Sequence, residues 1–377
     1  MRVYLDFAAT TPLDPEVEVQ MRPYQFLLGN ASSLHREGSA AKEALEEARE
    51  RLARVLGVLS QELVFTSGGT EANNQALFSV LLSGGHVITT AVEHSAILAP
   101  LRALEKLGQV CATILTPDQF GMVSAAQVKA AITPQTKLIS VQHVNNELGT
   151  IQPISEIAVV AKEHRIPFHV DAVQSLGHVP LSVRDLGCDL LSLAAHKFYG
   201  PKGIGALWVS RELEKRGFVL SPLLYGGQQE RGFRGGTQDV PAIVGMSFAA
   251  QKAADLQASQ AARLEPMRDW FAAQLTSFEG VSLNGHPTQR SPRHVNVTAA
   301  GADGEALLMN LDLEGVAASS GSACSSGTLE PSHVLLAIGK TKDEARASVR
   351  FSLGRSTTQA DLEFAVGAFK KALGRSK

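Results

Sequence analysis

Between residues 62 and 209, seven short apolar, β-branched runs alternate with amphipathic stretches, and this alternation constrains the chain more than any other feature. The runs are ELVFT (62–66), HVITT (86–90), CATILT (111–116), KLISVQHV (137–144), IPFHV (166–170), DLLSL (189–193) and IGALWV (204–209). Helical patterns such as EANNQALFSVLL (71–82), SAILAPLRALEKLG (95–108) and SEIAVVAKEHR (155–165) lie between several of them. Strand, helix, strand in repetition predicts an α/β protein with a mostly parallel sheet covered on both faces. Ligands of such sheets sit beyond the carboxyl ends of the strands, so function is expected in the loops that follow strands.

The pattern changes near residue 250. A long helical stretch (242–275) looks like a bridge, followed by strand-like HVNVT (294–298), helical EALLMNLD (305–312), strand-like ASVRFSL (347–353) and a helix from Thr358. That mixture suits a smaller α+β domain, and the first dozen residues could belong to either part. A length of 377 residues is ample for two or three domains.

Charge narrows the partners. The formal net charge is −2, which argues against a polyphosphate or nucleic-acid binder and favours small molecules or other proteins. Charged residues are 19% of the chain, below the average of roughly 25%, so a long solvated acidic tail is not expected. Cys111, Cys188 and Cys324 are far apart and form no CxxC pair. That spacing predicts a reducing compartment, with neither a disulfide framework nor a cysteine-rich metal site. The N-terminus has no apolar signal segment and no run is long enough to span a membrane, so the expected location is cytoplasmic.

Three loops carry chemistry. TSGGTEANN (66–74) follows a strand and opens a helix. Thr70 stands at a plausible cap, and the exposed N–H groups make an anion site. It is neither a dinucleotide fingerprint nor a P-loop. HVDAVQS (169–175) ends a strand in Asp171, which serves either as a helix cap or as a fixed negative charge facing a ligand. In SLAAHKFYGPKG (192–203), Lys197 follows an apolar run at the mouth of the sheet. A partly desolvated lysine there can act as a Schiff-base amine, although a solvated loop lysine is the commoner fate. A phosphate, a basic ring nitrogen and a carbonyl on one ligand would satisfy all three, and pyridoxal 5'-phosphate has those groups.

With these loops, AVEHSAIL, HVNNELGTIQPI, RGGTQDV and SSGSACSSGTLEPSHVL complete a set that resembles the cysteine desulfurases of the IscS/NifS type, in the class V aminotransferase group. The resemblance runs from YLDFAATTP to RFSLGRSTT, nearly the whole chain. It implies the fold type I architecture of pyridoxal-phosphate enzymes: a large α/β domain at 14–250, and a small α+β domain from 1–13 and 251–377 that carries the Cys324 loop. By the same match Lys197 would hold the cofactor as a Schiff base. Asp171 would pair with the ring nitrogen, Gln174 would bond the phenolic oxygen, and His94 would stack on the ring and handle protons. Gly69, Thr70 and His196 would bind the phosphate, with Thr237 supplied by the other subunit of a homodimer. Asn146 would lie beside cofactor and substrate, and Arg350 would grip the substrate carboxylate, Arg355 being the alternative. The family usually has Ser or Thr where this chain has Ala194, and Ser192 is the nearest candidate to compensate. The chain also stops about one helix short of members whose tail docks a scaffold protein.

Cys324 decides the activity that the resemblance implies. Seven of the nine residues in SSGSACSSG (319–327) are Ser or Gly, which buries nothing and predicts a mobile loop. Cys111 and Cys188, in or beside strands, read instead as small buried hydrophobes. L-cysteine would displace Lys197, whose freed amine would remove the α-proton. The Cys324 thiolate would then take the sulfur as a persulfide, with His94 available to accept the thiol proton. Alanine would leave, and the sulfur would pass to an acceptor protein such as an iron–sulfur scaffold, or to thio-modification. A selenocysteine lyase or another class V enzyme is the near alternative, and a non-catalytic sulfur-relay scaffold a more distant one. No resident metal, membrane or direct nucleic-acid contact is expected.

Overall fold

The structure is a computed structural model, and it describes residues 1–320 and 330–376. Among the described residues twelve strands form: β1 (Val3–Tyr4), β2 (Leu63–Thr66), β3 (Gly85–Thr90), β4 (Val110–Leu115), β5 (Thr136–Gln142), β6 (Phe168–Asp171), β7 (Leu190–Ala194), β8 (Gly205–Val209), β9 (Val281–Asn284), β10 (His294–Ala299), β11 (Val316–Ala317) and β12 (Ser348–Ser352). All seven runs read from the sequence become β2 to β8, and they make one sheet in the order β2-β8-β7-β6-β5-β3-β4. Its central pairs are parallel, and only β8 runs antiparallel to both of its neighbours. The sheet is thus mixed but mostly parallel. Strands buried along their whole length, such as β7 (LLSLA), are the β-branched and leucine-rich runs that a sheet covered on both faces needs.

Four helices flank its first half: α1 (Pro15–Gln25), α2 (Arg36–Leu56), α3 (Gly69–Leu81) and α4 (Ser95–Lys106). Neither α1 nor α2 stood out in the sequence. In α2 a narrow stripe of Ala41, Leu45, Ala48 and Leu52 is buried beneath a charged face. The helix α3 begins one residue earlier than the cap expected at Thr70. Gly68 is its N-cap, with φ of 153°, and Thr70 lies in the first turn. Gly205 packs directly against Gly68: a Cβ built on Gly205 would come within 2.7 Å of the Gly68 Cα, so Gly205 allows the close backbone approach while Gly68 supplies the positive φ.

The long helix Val240–Thr276 joins two cores. Its first half (Val240, Ile243, Met246, Ala250, Ala253) packs into the core of the large sheet. Its second half (Leu264, Phe271, Leu275) packs into a second core with Val295, Val297, Phe351 and Phe369. This second core lies on the antiparallel sheet β12-β10-β9. Val3 and Leu5 belong to it, and β1 pairs in parallel with β11, so the first strand sits with the C-terminal part of the chain. Among the described residues no helix is long and apolar enough to cross a membrane.

Two cysteine readings part here. Cys188 is buried, as expected, and burial pushes its thiol well up. Cys111 is exposed, contrary to expectation. It lies on β4, the edge strand of the sheet, which has a strand neighbour on one side only.

Candidate active site

A cavity of about 260 Å³ opens at the carboxyl ends of the strands. Of the residues singled out in the sequence, Gly69, Thr70, His94, Asn146, Asp171, Gln174, His196, Lys197 and Arg350 all line it. Thr237 is exposed and is not among the lining residues of this chain. Arg355 lies elsewhere, ion-paired with Asp14 at 3.1 Å and stacked over Tyr199. Cys324 and the expected mobility of its loop lie outside the described residues. The chain on either side of that segment is anchored beside the cavity. Ser319 pairs through its backbone with Arg350, and Ser332 bonds the buried Glu147 carboxylate at 2.5 Å.

Lys197 follows β7 in a short 3-10 turn. Its Nζ donates to the carbonyls of Ala8 at 2.8 Å and Ala9 at 2.7 Å, and among the described residues it has no ion pair. Burial pushes its pKa down to about 7, helped by the charges of Arg293 and Arg350 and opposed by Asp6 and Asp171. A large fraction of this amine is therefore an uncharged nucleophile at neutral pH.

Asp171 closes β6 and is buried. One carboxylate oxygen accepts from Asn73 at 2.7 Å, the other from the Val173 N–H at 3.0 Å. The segment 172–178 is a series of turns rather than a helix, so Asp171 keeps a cap-like bond without capping a helix. Gln174 donates from Nε2 to the Ala8 carbonyl at 3.0 Å, and its Oε1 accepts from Arg293.

His94 is the N-cap of α4, and its Nδ1 accepts from the Ala96 N–H at 3.1 Å. Burial lowers its pKa, so the ring is neutral and its proton sits on Nε2. In this arrangement Nδ1 is engaged by the Ala96 N–H and Nε2 is the ring's donor toward the cavity, which His94 lines. His196 is likewise held neutral, with its pKa pushed down to about 4 chiefly by burial and next by Lys197, and it meets Thr10 at 3.1 Å.

Arg350 on β12 is buried. It bonds the Asn146 carbonyl at 2.9 Å and pairs with Asp6 at 2.6 Å, while its Nε has no partner. Ala194 lines the cavity next to Gly69, but Ser192 does not supply the missing hydroxyl. Ser192 is fully buried in the sheet, where its Oγ bonds His169 at 2.9 Å. Asp6, Asn73, Thr10, Arg293 and the Ala8 and Ala9 carbonyls were not read from the sequence as site groups.

The residues fit pyridoxal phosphate. An uncharged amine stands at one side, a buried carboxylate held by two donors lies at the strand end, and α3 presents an open N-terminus beside Thr70 and His196. Cationic and donor groups outnumber anions, as an anionic ligand requires.

The family model of the class-V aminotransferases matches residues 3–364. The cysteine desulfurase IscS of Dictyoglomus turgidum is 46% identical, over 98% of this chain and 94% of that protein. Among solved structures, a NifS-like protein superposes with a TM-score of 0.91 at 32% identity, covering 100% of both chains. A structure described as SspA in complex with cysteine gives 0.82 at 39% identity, covering 94% of this chain and 99% of that one. With the site built on the same motifs, the chain belongs to the class-V aminotransferases, and within them to the IscS/NifS-type cysteine desulfurases.

Proposed function

We propose that this chain is a pyridoxal-phosphate-dependent cysteine desulfurase that converts L-cysteine to L-alanine and carries the sulfur away on Cys324. The observation that carries this reading is Lys197: a buried amine with its pKa pushed down to about 7, lining one cavity with Asp171 and Arg350. Bound through Lys197, pyridoxal phosphate supplies an electron sink for the charge left when the substrate's α-proton is removed.

The chain's own residues do the rest. The first turn of α3, Thr70 and His196 hold the phosphate. Asp171, fixed by Asn73 and the Val173 N–H, keeps the ring nitrogen protonated. Gln174 presents its amide N–H groups, and Arg350 offers its unpartnered Nε to the substrate carboxylate beside Asn146. Once released, the Lys197 amine takes the α-proton and returns it. His94 donates from Nε2. The Cys324 thiolate attacks the substrate sulfur, the carbon–sulfur bond breaks toward carbon, and a proton replaces sulfur on the carbon that becomes the alanine methyl. Cysteine and a thiol thus give alanine and a persulfide, with no external oxidant or reductant.

A homodimer is supported by Thr237, which is exposed and away from this chain's cavity, as a residue completing a second copy's phosphate site must be. Division into a large domain at 14–250 and a small one from 1–13 and 251–377 is supported by the two cores that the long helix joins. The persulfide goes to an acceptor protein for iron–sulfur assembly or thio-modification, and the sparse cysteines suit a reducing cytoplasm. The test is to give the cofactor-loaded protein L-cysteine and a thiol reductant. Alanine and sulfide are expected in equal amounts, with neither from Lys197→Ala; sulfide without alanine would overturn the reading.

A further inference from the structure

Arg293, at the start of β10, is a fully buried arginine. Among the described residues it makes no ion pair. Its Nη2 donates to Gln174 Oε1, its Nη1 reaches the Phe7 carbonyl only at 3.5 Å, and its Nε has no partner. A buried cation without a counter-ion is costly, and a core that needed only bulk would use an apolar side chain. Its backbone is locked, since the Leu353 N–H donates to the Arg293 carbonyl at 2.8 Å. The guanidinium is tied to the cavity through Gln174, which lines it.

Two consequences follow from this placement. A guanidinium has only donors, so it can face only the oxygen end of the Gln174 amide. The nitrogen end is then turned to the Ala8 carbonyl, another lining group of the cavity. The Arg293 charge also disfavours the ammonium form of Lys197. We propose that Arg293 is a positioning residue of the site: it fixes the Gln174 amide with its N–H groups toward the cofactor and brings a buried positive charge without an ion-pair partner to bear on Lys197. This rests on the reading of Lys197 and Gln174 given above. Burial followed by Arg293 and Arg350 is what lowers the Lys197 pKa, while Asp6 and Asp171 act in the opposite sense. Burial lowers His94, His178, His196 and His294 and raises Tyr199, so these neighbouring titratable groups add no charge at pH 7. Arg293 itself is pushed down to about 9, chiefly by burial, and keeps its charge at neutral pH.

The test is the rate at which cofactor-free protein takes up added pyridoxal phosphate, followed by visible absorbance across pH. The wild-type inflection is expected near the Lys197 value of about 7. Arg293→Met is expected to move it up by about one pH unit. Arg293→Lys is expected to leave it in place. Arg293→Gln, which keeps donors for Gln174 without the charge, is expected to move it alone, and it serves if the Met variant does not fold. Gln174→Leu and Arg293→Met are each expected to weaken cofactor retention, with the double variant no worse than the weaker single. An unmoved inflection in a folded Arg293→Met or Arg293→Gln protein, or additive losses in the double variant, would overturn the inference. Failure of the wild-type protein to develop any visible band would overturn the underlying functional reading as well.

Discussion

Two buried arginines divide the molecule into a closed region and an open one. Behind the sheet, Arg49 meets Glu230 with two parallel bonds of 2.7 and 2.8 Å and bonds the Leu63 carbonyl at 3.0 Å. Glu230 in turn accepts from the Phe65 N–H and from Gln238. Burial opposes both charges there, but the pairing outweighs it: Arg49 is pushed up and Glu230 is held below the usual carboxylate range. At the strand ends, neither Arg293 nor Lys197 has an ion-pair partner among the described residues, although Asp6 acts on both from a distance. The first region satisfies its charges internally and serves the fold. The second leaves positive charge for something else to satisfy, and the dianionic phosphate and substrate carboxylate of the proposed function would satisfy it.

Substitutions can break that contrast. The largest effect is expected from Lys197→Ala, which should cut alanine formation by at least about a thousandfold while leaving the melting temperature of the cofactor-free protein unchanged or higher. Initial rates and thermal melts check this. Glu230→Ala should do the reverse, costing about 3–5 kcal/mol of stability by stranding Arg49 in the core and sparing turnover in the protein that remains folded; chemical denaturation measures it. Next comes Arg350→Lys, which loses bidentate geometry and should raise KM for cysteine by about 10- to 100-fold with a smaller change in kcat. Ala194→Ser should have the mildest effect, slowing cofactor loss on dialysis by about tenfold through one added bond to phosphate.

The two regions should also respond to opposite ends of the pH scale. The lowered pKa of Glu230 contributes stability that is fully present above the ordinary glutamate value and is lost as pH falls through its folded value. Lys197, depressed to about 7, is neutral in the folded protein while still protonated in the unfolded chain up to about 10.5. Across that window the unfolded state binds more protons, so the cofactor-free protein should gain stability as pH rises. Melts from pH 7 to 10 should show the gain in wild type and its loss in Lys197→Met.

Much of this was legible in the sequence because it is local. β-branched runs named every strand of the large sheet, and motifs next to those strands named lining residues such as Gly69, His94, Asp171 and Lys197. What was not legible depends on distant partners. Asp6 and Arg350 are 344 positions apart, and Gln174 and Arg293 are 119 apart. No periodicity marks such pairs. Ser192 looked available for phosphate because alternation on a strand does not reveal that β7 turns it toward His169. Cys111 looked buried because a run of apolar residues does not reveal that its strand is an edge.

The central claim is that substrate sulfur passes to Cys324. The most direct measurement is the mass of the Cys324 peptide after the cofactor-loaded protein meets L-cysteine without reductant. The account predicts a gain of one sulfur atom with alanine released in equal amount; an unmodified Cys324 peptide in protein that has formed alanine would contradict it.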